Sequence, residues 1–223
     1  MRALVLLCFL LLLFSSCATT YVPTTLNVPT FSNKGEFQAK LLAGFNGGDV
    51  QLGYAATNHL GLMVNFSAAD DSEEATQFKR NTLELGAGYY TNLNGRLVWE
   101  AMGGVGLGKL QGVFTSSGGD YFSDDVTYSK VFIQPAIGWT TDILDVSFAT
   151  RVSIISMDPA NAPEPIETIG FFEPALTLGL GFRWLKFHVQ GGLSVPTVDP
   201  IPYTNTPFIL NVGLAARIGK KFY

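Results

Sequence analysis

Cysteine, histidine and charge are all scarce in this chain. Its 223 residues include two cysteines and two histidines, and charged residues make up only 14%. Cys8 lies in an N-terminal segment that we expect to be removed, which leaves Cys17 as the one cysteine of the mature chain. A single cysteine excludes a disulfide or a cysteine metal site within one mature chain.

A basic excess is also lacking, and so is a long apolar run. The formal net charge is −4, so the chain has no broad basic surface with which to bind nucleic acid through phosphates. The apolar run Ala3–Phe14 is shorter than the roughly 20 residues that a membrane-spanning helix needs. We therefore expect no nucleic-acid partner. We also expect that this apolar run does not cross a membrane as a helix.

The N-terminus has the pattern of a secretory signal, because Arg2 precedes the apolar run and two small serines follow it. The sequence LFSSC, ending at Cys17, resembles a bacterial lipobox, in which the cysteine becomes the lipid-modified first residue of the mature protein. We predict a signal peptide over residues 1–16 and lipidation of Cys17. An ordinary signal peptide with an incidental cysteine is the alternative.

Residues 17–34 are rich in threonine, proline and asparagine and show no periodicity. This composition predicts a flexible tether between the lipid and the folded part. In some bacteria, acidic residues just after the lipidated cysteine direct export to the cell surface, and Ala18-Thr19-Thr20 lacks them. We therefore expect the lipid anchor on the periplasmic side of the outer membrane.

From residue 35 onward, large apolar residues alternate with glycine and polar residues. The stretch 171–195 shows it best, with leucine and phenylalanine at every second position against charged residues and glycine. A period of two indicates β-strands. An apolar face opposite a polar, glycine-rich face is typical of a transmembrane β-barrel, with lipid outside and polar residues inside. A soluble β-sandwich also alternates, so one hairpin alone does not decide between them.

The connections between these strands support the barrel. The sequence divides into about ten strands, an even number, and short turns alternate with long polar loops after the second strand. The fold class is therefore all-β: a closed antiparallel up-and-down transmembrane β-barrel of about ten strands over residues 35–223, with eight strands as the alternative. The short turns and both ends of the barrel domain are expected in the periplasm. Pro135 and Pro174 are interpreted as bulges, and Lys109 marks either a bulge or the point where its strand leaves the lipid.

The segments KGEFQAKLLAGFNGGDVQLGYAATNHLGLMVNF and GLAARIGKKFY resemble the first and last strands of small bacterial outer-membrane β-barrel proteins, the broad OmpA/OmpX-like class. The resemblance implies a Gram-negative outer membrane. It also implies that Phe222 and Tyr223 act as a C-terminal assembly signal. The implied partners are outer-membrane lipids and the barrel-assembly and lipoprotein-processing machinery.

The same alternation places a set of charged residues inside the barrel. A charge in a narrow interior must be paired, because it loses its hydration there. We predict two layers of ion pairs that fill and close the lumen. The predicted lumen residues are Glu36, Lys40, Glu84, Glu100, Lys130, Arg151, Glu173, Arg183, His188 and Arg217.

No catalytic, cofactor-binding or metal-binding residues are predicted. Some outer-membrane barrels are hydrolases with a histidine near the outer rim, but His59 falls in a predicted periplasmic turn and His188 lies just after another. The predicted function is a structural or surface-binding role without catalysis, with an extracellular partner left unspecified. The alternatives are a narrow pore for small solutes and a soluble periplasmic lipocalin-like lipoprotein.

Overall fold

The computed structural model describes residues 21–45, 47–73, 76–115, 121–159, 167–197 and 206–219. All regular structure in these ranges is β-strand, and they contain no helix long and apolar enough to cross a membrane. The strands are β1 (Phe37–Gly44), β2 (Gly47–Ala55), β3 (Leu60–Glu73), β4 (Thr76–Asn92), β5 (Leu97–Thr115), β6 (Tyr121–Thr140), β7 (Leu144–Pro159), β8 (Glu167–Gly181), β9 (Leu185–Leu193), β10 (Val195–Pro196) and β11 (Phe208–Ile218).

The sheet closes on itself as an antiparallel barrel. Each strand pairs with its neighbours in sequence, and β1 pairs with β11 to form the seam, with Phe37 opposite Ile218. The short β10 continues β9 along the same edge of β8, so the two are one barrel strand. The barrel therefore has ten strands, as the sequence predicts, and the eight-stranded alternative is wrong.

The two strand prolines interrupt hydrogen bonding without adding a residue. Pro135 lies opposite Ala101, and the β6–β7 pairing resumes beyond it in an unchanged register. Pro174 has no N–H to donate. The pairing of β8 is interrupted beside it, at the gap between β9 and β10, and resumes in the same register. The predicted bulges at these prolines are wrong.

The barrel has two different ends. The links of residues 56–59, 93–96, 141–143 and 182–184 lie at one end, together with the start of β1 and the end of β11. We call this the short-turn end. The other links lie at the opposite, long-loop end. By the strand bounds, the β1–β2 link (residues 45–46) and the β3–β4 link (residues 74–75) are short connections at that end.

The outer wall carries an apolar band. On β6 the outward residues Val131, Ile133 and Ile137 are 44–57% exposed. Thr127 faces outward on the same strand but lies nearer the long-loop end. On β5, Lys109 pairs with Thr127 in an unbroken register, so no bulge shifts its phase. The strand instead leaves the apolar band at Lys109, and β5 and β6 continue beyond it toward the long-loop end.

Large aromatic side chains mark the edge of the band at the short-turn end. Trp99, Trp139 and Trp184 are 39–63% exposed there, near Tyr54 and Tyr89. Aromatic girdles of this kind lie at the membrane–water interfaces of outer-membrane barrels. The band thus has the composition of a lipid-facing surface.

The apolar band predicts that a charged substitution on the outer wall destabilises the protein by an amount that depends on its depth in the membrane. Ile133→Arg should lower the free energy of unfolding by about 2–4 kcal/mol, because it places a cation in lipid near the middle of the band. The control, Thr127→Arg, lies outward on the same strand beyond the band and should cost about 0–1 kcal/mol. Denaturant titration in phospholipid vesicles measures both, and equal losses would contradict the position of the band.

Candidate functional site

A stretch of the N-terminal region lies inside the barrel. Residues 21–32, called here the lumen segment, are buried without exception. The prediction of a flexible tether is wrong for these residues, since Leu26 and Phe31 have no exposed surface at all. The barrel is therefore filled by its own chain as well as by side chains of the wall.

The lumen segment runs from one end of the barrel to the other. At the long-loop end, the Tyr21 carbonyl accepts a hydrogen bond from Thr206 N (3.0 Å), and the Tyr21 ring lies 4.3 Å from that of Phe171. At the short-turn end, the Phe31 ring lies 5.4 Å from the Tyr90 ring, and Ser32 N donates to a Glu36 carboxylate oxygen. The chain then turns outward and enters β1.

Amide side chains of the wall satisfy the middle of this segment. Gln190 pairs with Leu26 as a backbone would: Leu26 N donates to Oε1 (2.8 Å) and Nε2 donates to Leu26 O (2.9 Å). Gln51 donates to Thr25 O, and Gln134 donates to Asn27 O at 2.7 Å. Buried peptide groups need such partners, because an unpaired one costs free energy comparable to a lost hydrogen bond.

Cationic and amide side chains bind four further carbonyls, those of the two prolines and of the residue before each. The Arg80 guanidinium donates to Val22 O and to Pro23 O (3.3 Å), and Lys40 Nζ donates to Val28 O at 2.8 Å. Pro29 O accepts from Gln38 and from Arg217. Proline has no N–H, so Pro23 and Pro29 lower the number of donors that the lumen must satisfy.

The apolar side chains of the segment enter three buried clusters spaced along the lumen. Tyr21 joins the cluster at the long-loop end, Leu26 and Val28 the central one, and Phe31 the cluster at the short-turn end. Tyr128, Ala175 and Met102 are examples of their partners in the wall. Apolar burial therefore fixes the segment at three heights.

Glycines on the inner wall make room for it. A Cβ at Gly138 would lie 2.4 Å from Thr30 Cγ2, and one at Gly61 would lie 2.8 Å from Phe31 Cε2. Gly53 is similarly close to Phe31, at 3.0 Å. A larger residue at these positions would displace the segment or its neighbours.

One group of ion pairs surrounds Glu84. Its carboxylate pairs with Lys130 and with Arg151 (3.4 Å), and the Thr24 hydroxyl donates to it at 2.8 Å. Arg151 also donates to Gln134 Oε1 and stacks 4.5 Å over the ring of Phe132. The lumen segment thus contacts this ionic group directly, through Thr24.

A second group lies near the short-turn end. Arg217 Nε is 3.2 Å from Glu36, and Lys186 Nζ is 2.6 Å from Asp145. Arg217 also reaches Asp145 at 3.9 Å, which links the two pairs. Ion pairs therefore lie at two heights in the described part of the lumen. The lumen segment contacts the first group through Thr24 and the second through Ser32.

The predicted lumen residues outside the two ionic groups differ in what they contact. Glu173 accepts hydrogen bonds from Tyr21 and Ser194, each at 3.1 Å, and Glu100 accepts from the backbone N of Thr30 at 2.9 Å. These two carboxylates therefore bind the lumen segment. His188 is buried near the short-turn end. Arg183, predicted to point inward, is exposed in the short turn before β9, where the alternation no longer applies.

Four charged lumen residues were missing from the sequence prediction: Arg80, Asp49, Asp145 and Lys186. All four are buried. Each is in phase with a buried residue of its own strand: Arg80 is four residues before Glu84, and Asp49 is two residues before Gln51. Extending the alternation further toward the ends of the strands would have found them.

Catalytic and metal sites receive no support from the described ranges. His59 lies in a short turn, stacked on Tyr89, and His188 Nδ1 has no hydrogen-bond partner among the residues described. No group of three histidine, cysteine or acidic residues that could hold a metal ion occurs there either. Cys17, Phe222 and Tyr223 lie outside the described residues.

Comparison with known proteins gives a family and several solved structures, including the two that follow. The family model described as "Outer membrane protein beta-barrel domain" matches residues 5–154. The translocator domain of the autotransporter NalP from Neisseria meningitidis is 11% identical with a TM-score of 0.47, covering 82% of this chain and 86% of that one. The outer membrane protease OmpT from Escherichia coli is 12% identical with a TM-score of 0.45, covering 82% of this chain and 93% of that one. No curated protein matches the chain.

Two arginines test the arrangement of the lumen. Arg151→Ala should lower the free energy of unfolding by about 3–5 kcal/mol, because it removes a buried cation from Glu84. Arg183→Ala, the matched control, removes an exposed arginine and should leave the unfolding midpoint nearly unchanged. Denaturant titration in vesicles measures both. A similar loss in both variants would contradict the placement of these side chains.

Proposed function

We propose a role for the chain from the premise that it belongs to the outer membrane protein beta-barrel domain family. It is an integral outer-membrane lipoprotein with a structural or surface-binding role, a closed lumen and no catalytic activity. The observation that carries this proposal is the lumen segment, which is buried along its length and bonded to the wall at every height.

The occupied lumen argues against a solute pore. Barrels of about eight strands have interiors that side chains just fill, whereas aqueous channels appear at about 16–18 strands. A ten-stranded barrel with many inward glycines leaves room beyond its own side chains. An extended chain with its side chains occupies that room here.

The outer wall argues against a soluble lipocalin-like protein. Side chains such as Leu107, Ile133 and Leu180 are 57–67% exposed in a continuous band, and water would contact all of them. Exposed apolar patches of such extent mark interaction or membrane surfaces. An enzyme is disfavoured by the positions of the histidines: His59 and His188 both lie toward the short-turn end, away from the long loops.

A surface-binding role is supported by the unequal heights of the strands. β5 and β6 extend well beyond the apolar band, where Lys109, Gln111 and Thr127 face outward. With the short turns in the periplasm, as is usual for such barrels, this part of the wall stands above the cell surface. It offers a polar β-surface to a partner whose chemistry the chain does not specify.

Membrane attachment and assembly complete the proposal. Cys17 is the lipidated first residue of the mature chain, and Phe222 and Tyr223 form the signal read by the barrel-assembly machinery. Both assignments rest on the resemblance of the two termini to known signals. The lipid supplements an apolar band that suffices for insertion by itself.

Ion conductance tests the closed lumen. Purified protein in planar bilayers should show no steady current, because the lumen segment excludes water and ions. A variant lacking residues 21–33 should conduct, and a synthetic peptide of those residues should close it again. A scrambled peptide is the control. Stable, ion-selective openings from the unmutated protein would reject the closed barrel and favour the pore.

Labelling with radioactive palmitate tests the anchor. Cys17→Ser should abolish incorporation, whereas the protein should still insert and migrate differently on gels before and after boiling. Cys8→Ser is the matched control, since it changes a cysteine within the predicted signal peptide and should leave labelling intact. Unchanged labelling of Cys17→Ser would refute lipidation at that residue.

A further inference from the structure

The path of the lumen segment fixes the side of the barrel from which the N-terminus leaves. Its Phe31 end is bonded to the short-turn end and its Tyr21 end to the long-loop end. Between them, Leu26 is held by Gln190 and Thr24 by Glu84. The chain therefore passes through the lumen once, without doubling back.

The length of the segment matches a full crossing. The eleven residue steps from Tyr21 to Ser32 span about 36 Å when extended, at roughly 3.3 Å per residue. The apolar band of an outer-membrane barrel is about 25 Å tall. Tyr21 therefore lies near or beyond the far edge of the band.

From this geometry we infer that the chain before Tyr21 leaves the barrel at the long-loop end, so that acyl chains carried by Cys17 enter the outer, cell-surface leaflet. The inference rests on the proposed lipidation of Cys17 and on the proposed orientation with the short turns in the periplasm. It differs from the expectation of a periplasmic anchor, which rested on the lack of acidic residues just after Cys17.

The reach of the chain excludes the opposite position. Cys17 is four residues before Tyr21, and four residues of fully extended chain reach at most about 14 Å. A periplasmic anchor would require these four residues to recross a band of about 25 Å. In the described part of the lumen, the three apolar clusters and the two ionic groups occupy the space around the segment, where a returning chain would have to run.

The same path accounts for the missing export signal. Ala18, Thr19 and Thr20 include no acidic residue of the kind that directs some lipoproteins to the surface. In this chain the barrel itself carries the polypeptide across the membrane. A surface anchor therefore requires no separate route of export.

Cysteine labelling tests the position. Full-length Thr19→Cys and Asn94→Cys variants are expressed in cells and treated with a membrane-impermeant maleimide, with and without permeabilisation of the outer membrane. Asn94 lies in the short turn between β4 and β5. Thr19→Cys should label at once in intact cells, whereas Asn94→Cys should label only after permeabilisation. Heat-dependent gel migration verifies that each variant is folded.

Each other pattern contradicts a definite part of the inference. Labelling of Thr19→Cys only after permeabilisation, or only after unfolding, would overturn the surface position. If both sites label from the same side, the chain does not pass through the barrel. If their order is reversed, the orientation given under the proposed function is wrong. Palmitate incorporation, scored separately, shows whether a failure lies in lipidation rather than in position.

Discussion

An extended peptide inside a closed barrel must satisfy its own polar groups, and the arrangement of this protein follows from that requirement. Beyond the backbone hydrogen bond from Thr206 to Tyr21, the N–H and carbonyl groups of the lumen segment are bonded mainly by side chains of the wall. Gln190, Gln134 and Lys40 make such bonds, each from a different strand. The polar inner face of the barrel is thus complementary to one particular chain.

The size of the barrel interior imposes a further constraint. A ten-stranded barrel encloses more space than its inward side chains fill, and inward glycines such as Gly61 and Gly138 enlarge it where Phe31 and Thr30 pass. Buried charge then becomes tolerable, because Glu84 meets two cations and a hydroxyl at the same depth. Packing and charge pairing therefore depend on the same inserted segment.

Much of the fold follows from the sequence because a period of two is a strong signal when one side of a wall faces lipid. It predicts the closed ten-stranded barrel and the inward direction of residues such as Glu84 and Arg151. It fails in turns, as for Arg183, whereas Lys186 just after that turn is in phase with His188 and requires only that the alternation be extended to the start of the strand. The position of the lumen segment cannot be inferred from periodicity, because its bonding partners are far away in sequence. A signal was nevertheless present: Val22, Leu26 and Phe31 are apolar, and no charge occurs between Cys17 and Lys34, which is unlike a solvated tether.

The seam between β1 and β11 has a consequence for the order of assembly. Gln38 and Lys40 on β1 and Arg217 on β11 all bind the carbonyls of Val28 or Pro29. These two strands are the first and last of the barrel, so they meet only when the ring shuts. The segment cannot acquire its final partners before that moment, and a chain end bearing the acyl groups proposed for Cys17 would not enter a finished ring. Ring closure and threading are therefore a single event, in which the strands shut around a chain already in place.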